Sequence, residues 1–290
     1  MNNKMGLYKC IAGMLCLLIA VGCTANTPLK TVQKKLLKHQ NIFIEGQNFD
    51  APFDLVECLD FKLAEPGKMV AEVHSDLIFV NCMFTDFTCY QHKDNMIYSV
   101  VFKGRLKFIN CIFNGEVDAT LMTVENDFSV ERCTFAGPFT LDFAWLKGRE
   151  ANFEEAVFHQ PAKCVNTIFE NKAKFFNTQF QHQVFFQNSH FKGQANFRGG
   201  DFNKYTDFSH VCFGIGVHFN QSVFHAQTNM NRAHFMGFTS WTDVCFKSAL
   251  SIDHTHFIGG CDFRNMTYNE IKHKDTAVFV STGFPKKVNP

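Results

Sequence analysis

Four residues recur at a spacing that could bind a metal. His190, Cys212, His234 and His256 follow one another at a constant step of 22. Imidazole nitrogen and thiolate sulfur are ligands for zinc and copper. A fold that returned to the same place at that step would align the four in one outward column. His210 and His254 would then fall in the neighbouring column. A flat ladder offers ligands from one side only, which leaves a tetrahedral ion under-coordinated. The competing reading is a solvated column that only gains charge as pH falls through about 6.5. Catalytic signatures are absent. There is no Gly-rich phosphate loop, no nucleophile elbow, no His-Glu-x-x-His and no zinc-type Cys-x-x-Cys pair. Glu154-Glu155, the one adjacent acidic pair between 97 and 268, is a solvated face. These observations predict a protein that is not an enzyme and carries no cofactor.

What would position such a column is an internal repeat. In alternating steps of five and six, one residue type keeps returning from 151 to 263: Phe153, Phe158, Phe169, Phe175, Phe180, Phe186, Phe191, Phe197, Phe202, Phe208, Phe213, Phe219, Phe224, Phe235, Phe246, Phe257 and Phe263. Cys164, Met230, Trp241 and Ile252 fill the remaining positions of this ladder. Two residues before each stands a small or β-branched residue, as Ala151, Ala173, Ser189 and Thr206 illustrate; Leu250 alone breaks the rule. On a helix, steps of five and six would set the two Phe series roughly 140° apart, giving no single seam. The repeat is also rich in Asn, Gly, Thr, Val and Phe, which are poor helix formers. On an extended segment, a residue and the one two before it point the same way. A large and a small residue can then fill one narrow interior, with coils stacked ~4.8 Å apart.

Ala151-Asn152-Phe153-Glu154-Glu155 and Ala195-Asn196-Phe197-Arg198-Gly199 resemble the unit of the pentapeptide-repeat family. The extra residue after every second unit makes the period 11, which is similar to the Phe-rich, double-unit variety. That resemblance implies an all-β, right-handed quadrilateral parallel β-helix. Four units would complete each coil of such a solenoid, hence about 22 residues per coil.

In chain order, residues 1–23 are a signal. Lys4 and Lys9 precede a short apolar run from Ile11 to Val21, too short for a membrane-spanning helix. Ala20-Val21-Gly22-Cys23 resembles the lipobox of bacterial lipoproteins, with Ala20 where Leu is usual. The resemblance implies lipidation at Cys23 and a lipid anchor in the bacterial cell envelope, with the outer membrane or periplasm favoured because no Asp follows Cys23. An ordinary cleaved signal, an inner-membrane anchor or secretion are the alternatives. Residues 24–40 are a basic tether with one short helix, whose Val32, Leu36 and Leu37 share a side. Residues 41–96 carry irregular copies of the repeat and form a terminal section that covers the first coil, with a polar loop from Cys89 to Asn95. The β-helix proper spans 97–268, which makes eight coils and a rod about 40 Å long. A distorted stretch is expected from Gly137 to Gly148, because Phe139 is large for its slot. Residues 269–290 form a C-terminal cap.

The net charge is +1, and between 97 and 268 there are 15 Lys plus Arg against 15 Asp plus Glu. Some relatives in the resembling family imitate DNA, which needs a strongly acidic surface. That balance excludes it, and no nucleic-acid partner is expected. Of the 12 Cys, Cys10, Cys16 and Cys23 belong to the signal and anchor. Cys82, Cys111, Cys133 and Cys261 take small inward slots, and Cys164 a ladder slot. Cys58, Cys89, Cys212 and Cys245 are candidates for pairing or exposure. Two functions remain open: a structural or protein-interaction module for an envelope protein, including a homodimer through a solenoid end, or a metal or small-ligand binder through the His/Cys column.

Overall fold

Alternation on short extended segments puts the small and large residues of each unit on one side. In the computed structural model, which describes residues 29–281, that side is the interior of an all-β parallel solenoid. One regular turn runs through four short strands, Gln194–Asn196, Asp201–Phe202, Thr206–Asp207 and Cys212–Phe213, and the chain is back on the first face at Gly216–His218. The strands pair in parallel with those of the next turn at a step of 22, as in Phe202 with Phe224 and Phe213 with Phe235. The faces are numbered here in that order. Face 1 carries ten strands, from Ile42–Glu45 to Cys261–Asp262. Faces 2 and 3 merge into an 18-stranded sheet because Cys245–Ser251 runs round their corner as one strand. Face 4 belongs to a 12-stranded sheet.

The steps of five and six correspond to two kinds of corner. In the five-residue step the ladder carbonyl accepts a hydrogen bond from the amide three residues on, as in Ala156 to Phe153 at 3.2 Å and Thr178 to Phe175 at 3.3 Å. The second central residue of each such turn has positive φ: Glu155, Asn166, Asn177, Asn188, Gly199, His210, Gln221, Arg232, Asp243, His254 and Asn265. A type II turn demands that conformation there, which suits the Asn and Gly of this series. At the corner between faces 4 and 1, backbones of successive turns approach too closely for a side chain. A Cβ added to Gly237 would lie 1.5 Å from the carbonyl oxygen of Ile215.

The ladder fills the axis. Sixteen of the 17 repeat Phe residues are at most 2% exposed, and Phe263, in the last turn, is partly buried. Rings stack between turns and meet edge-to-face within them. Phe186 lies 5.0 Å from Phe208 with planes 1° apart, and Phe186 meets Phe197 at 80°. Buried hydroxyls complete the interior: Thr178 donates to the Phe153 carbonyl at 2.8 Å, Ser222 to Phe197 at 2.6 Å and Thr255 to Met230 at 2.7 Å. Each ties a small inward residue to the corner of the preceding turn, which explains why Ser and Thr are tolerated inside.

Several expectations are corrected. Residues 41–96 are not a separate cover but two full turns in register with the rest, Ile42 pairing Leu77 and Leu77 pairing Leu106. Their length comes from two hairpins inserted between faces 3 and 4. One joins Lys62–Glu65 to Lys68–Val73 through Pro66-Gly67, and the other joins Tyr90–Lys93 to Met96–Phe102 through Asp94-Asn95, both at positive φ. The polar insertion expected from Cys89 to Asn95 is present, as a hairpin and not an open loop, and Cys89 ahead of it is fully buried. Ile97 lies in that hairpin, half-buried, and not in the core. The stretch from Gly137 to Gly148 keeps regular pairing, Phe139 with Ala162 and Trp145 with Ile168. Phe139 fits because Ala119 replaces a large ladder residue in the turn before; a cavity of about 10 Å³ remains beside them. A slip of one extra residue falls in the corner just after this stretch, between Leu146 and Ala151, since Val124 pairs Leu146 at 22 but Phe128 pairs Ala151 at 23.

At the N-terminus, helix α1 (Leu29–Leu36) lays Val32 and Leu36 on the first turn, while Leu37 is exposed. At the C-terminus the stacking runs past 268: Thr267–Lys272 is one strand, and Val278–Phe279 pairs His256–Phe257. No helix among the described residues is long and apolar enough to cross a membrane. Cys23 and the signal lie outside the described residues.

Candidate interaction face

Face 4 carries the residues singled out by spacing. Its outward positions just before the ladder Phe form a continuous column, Ile168, His190, Cys212, His234, His256 and Val278, each in register with the next. The His234 and His256 rings sit 4.9 Å apart and meet at 71°. Burial, then His256 and His210, depress the His234 pKa. Burial raises the Cys212 thiol. Spacing thus brings the four residues onto one line. Nonetheless, among the described residues no group of three or more His, Cys, Asp or Glu side chains is arranged to hold a metal ion. A parallel column points its ligands one way, whereas a tetrahedral ion needs them to converge. His210 and His254 occupy the turn corner beside face 4, with Arg232 between them in the same series of positive-φ residues. A fixed cation inside that column opposes any further positive ion.

The outward positions just after the ladder Phe divide face 4 into two halves. In the first half the column alternates in charge through Lys103, Glu125, Lys147, Glu170 and Lys192, and Glu72, in the column before the ladder, caps it. Lys103 reaches Glu72 at 3.2 Å and Glu125 at 3.1 Å, and Lys192 reaches Glu170 at 3.0 Å. Hydrogen bonds with Glu125 and Glu72 raise the Lys103 pKa; those from Trp145 and then Lys192 depress the Glu170 carboxyl. The Trp145 indole donates to Glu170 at 2.9 Å while Lys147 lies 4.1 Å above its ring. Exposed pairs of this kind contribute little singly. Their effect is to satisfy this half of the face internally.

In the second half the same column turns apolar at Met236, Ile258 and Val280, with Val278 alongside and Ile215 and Phe238 at the adjoining corner. Ile215, Met236, Phe238, Val278 and Val280 are between 44% and 67% exposed. Gly216 pairs Phe238, which places Phe238 in the next turn, diagonal to Ile215 across Gly237. Sequence reasoning passed over this patch. Its signal was that Met236, Ile258 and Val280, spaced by 22, are apolar where the same column earlier carries Lys and Glu. Compared with family models, curated proteins and solved structures, the chain matches none.

Proposed function

We propose that this chain is a non-catalytic, lipid-anchored envelope module of the pentapeptide-repeat type, and that the C-terminal half of face 4 docks a protein partner. The observation that carries this reading is the exposed cluster of Ile215, Met236, Phe238, Val278 and Val280 on a rod whose outward positions are otherwise mostly polar. Contiguous exposed apolar surface rimmed by polar residues marks interaction sites. The rim here is His234, His256 and His218. A rigid flat sheet suits such docking because it loses little conformational freedom on binding. Anchoring rests on the short apolar run that ends at Gly22-Cys23. The test is a pull-down from envelope extracts with wild type and with Ile215→Lys plus Phe238→Lys. A partner recovered only by the wild type, at unchanged thermal stability, supports the reading; equal recovery by both overturns it. Membrane fractionation of Cys23→Ser checks the anchor separately, with release into the soluble fraction expected.

The approach of His234 and His256 favours a second reading, a weak metal or small-ligand site in the His190, Cys212, His234 and His256 column. Isothermal titration with zinc and copper, against His234→Ala plus His256→Ala, decides it. Equal binding by both proteins rejects it.

A further inference from the structure

We propose that Cys82, Cys111 and Cys133 form a thiol column in which one disulfide joins Cys111 to either neighbour. The three occupy the same inward slot of face 2 in successive turns. Met83 pairs Ile112 and Ile112 pairs Thr134, so the cysteines just before them are also neighbours. In-register parallel strands hold Cα atoms ~4.8 Å apart, inside the range a disulfide spans. Cys82 and Cys133, two steps apart at roughly 10 Å, are beyond it. Each thiol leans toward the preceding turn: Cys111 Sγ lies 3.5 Å from the Phe79 carbonyl oxygen and Cys133 Sγ 3.4 Å from that of Phe108. All three are 2% exposed or less.

The same slot later holds Ala156, Thr178, Gly200 and Ser222. The Thr178 and Ser222 hydroxyls make the carbonyl contact that the thiols make, 25 residues back as for Cys133. A serine would therefore serve this slot structurally; three adjacent thiols add redox chemistry to it. Contact with the Cys133 thiol, then with that of Cys82, shapes the Cys111 pKa, which rises to about 12. Contact with Cys111 and burial also raise Cys82. In the folded protein Cys82 and Cys111 are thus held protonated, and all three thiols are shielded from solvent. Oxidation belongs to the incompletely stacked chain, where thiols are exposed and near their ordinary pKa.

The donor is a small-molecule or protein disulfide. The Cys111 thiolate attacks one donor sulfur and expels a donor thiolate. The thiolate of Cys82 or Cys133 then attacks Cys111 sulfur in the mixed disulfide and expels the second. Two protein thiols are oxidised, one donor disulfide is reduced to two thiols, and the two protons pass to them. In-register Cβ atoms stand about as far apart as the strands, slightly beyond the usual disulfide span, so the bond is strained and readily reduced. The third thiol can exchange with it without an outside reagent.

The test is refolding of the full chain with glutathione and glutathione disulfide, followed by acid quench, alkylation and peptide mass mapping. Cys82–Cys111 and Cys111–Cys133 links are expected, each lowering the mass by about 2 Da through loss of two hydrogens. Cys133→Ser should retain only the first, and Cys111→Ser, which keeps the carbonyl contact and so the fold, should show neither. Chain folded under reducing conditions should resist the same oxidant at least tenfold longer. Three alkylated thiols in the refolded wild type, or Cys82–Cys133 links at comparable yield, would overturn the proposal, as would equal oxidation of folded and refolding chains.

Discussion

Phe202 stacks on Phe224 with ring centroids 4.4 Å apart and planes 7° from parallel. The two belong to successive turns and pair in register. Phe180 and Phe246 extend the stack at 5.1 Å and 4.7 Å. Each ring is thus covered above and below by the same residue type, so the repeat is its own packing partner.

Replacing Phe202 by Ala opens a void in the middle of that stack and should cost about 3–5 kcal/mol. Asn203, the next residue, faces outward, and Asn203→Ala should stay within about 0.5 kcal/mol. Urea unfolding of both variants checks this. Equal losses would contradict the inward and outward assignment.

Buried hydroxyls of one type should differ in value. Thr178 donates to the Phe153 carbonyl, and Thr178→Val should cost about 1 kcal/mol. The Thr228 hydroxyl is buried with no hydrogen-bond partner. Thr228→Val should therefore be neutral or stabilising, because it removes an unsatisfied polar group at constant shape. Thermal unfolding of the pair tests the contrast, and a larger loss for Thr228→Val would refute it.

Two neighbouring glycine sites should respond oppositely. Gly237→Ala forces a Cβ into the Ile215 carbonyl and should cost more than about 4 kcal/mol or prevent folding. At Gly260 the nearest atoms to an added Cβ are in the Phe238 ring at 3.5 Å, an ordinary contact. Gly260→Ala should change stability by less than about 1 kcal/mol. Circular dichroism melts of both variants decide it.

His234 gives a stability slope with pH. Burial and the nearby His256 and His210 depress its pKa in the fold, so the unfolded chain binds the proton more readily. Above the unfolded value of about 6.5 both states are neutral and no penalty exists. Below it the penalty grows, and it is complete once pH has fallen through the depressed folded value. Stability should decline on acidification from pH 7.5, and His234→Gln should flatten that slope. An unchanged slope in the variant, from denaturant midpoints across the range, would show that His234 does not contribute.

How much of this was legible in the residues differs from feature to feature. The run from Phe153 to Phe263 states its own architecture, because alternation on a strand ties side-chain direction to position, and a constant step returns each type to the same face. The interior follows from that alone; the step of 22, and with it the His190–Cys212–His234–His256 line, was what the resemblance to pentapeptide repeats implied, and the strand pairing bears it out. Residues 41–96 were obscure because two hairpin insertions of unequal length break the count, and only pairing such as Ile42 with Leu77 restores it. Phe139 looked too large because its room comes from Ala119, a residue of the preceding turn. The same holds for the surface. Ile215 and Phe238 are distant in sequence and form one patch only where the corner glycines let two turns touch. Whether the aligned His and Cys converge on an ion was likewise a question of direction. A periodic sequence fixes which residues are neighbours, but a parallel stack decides that their side chains point alongside one another instead of toward a common centre.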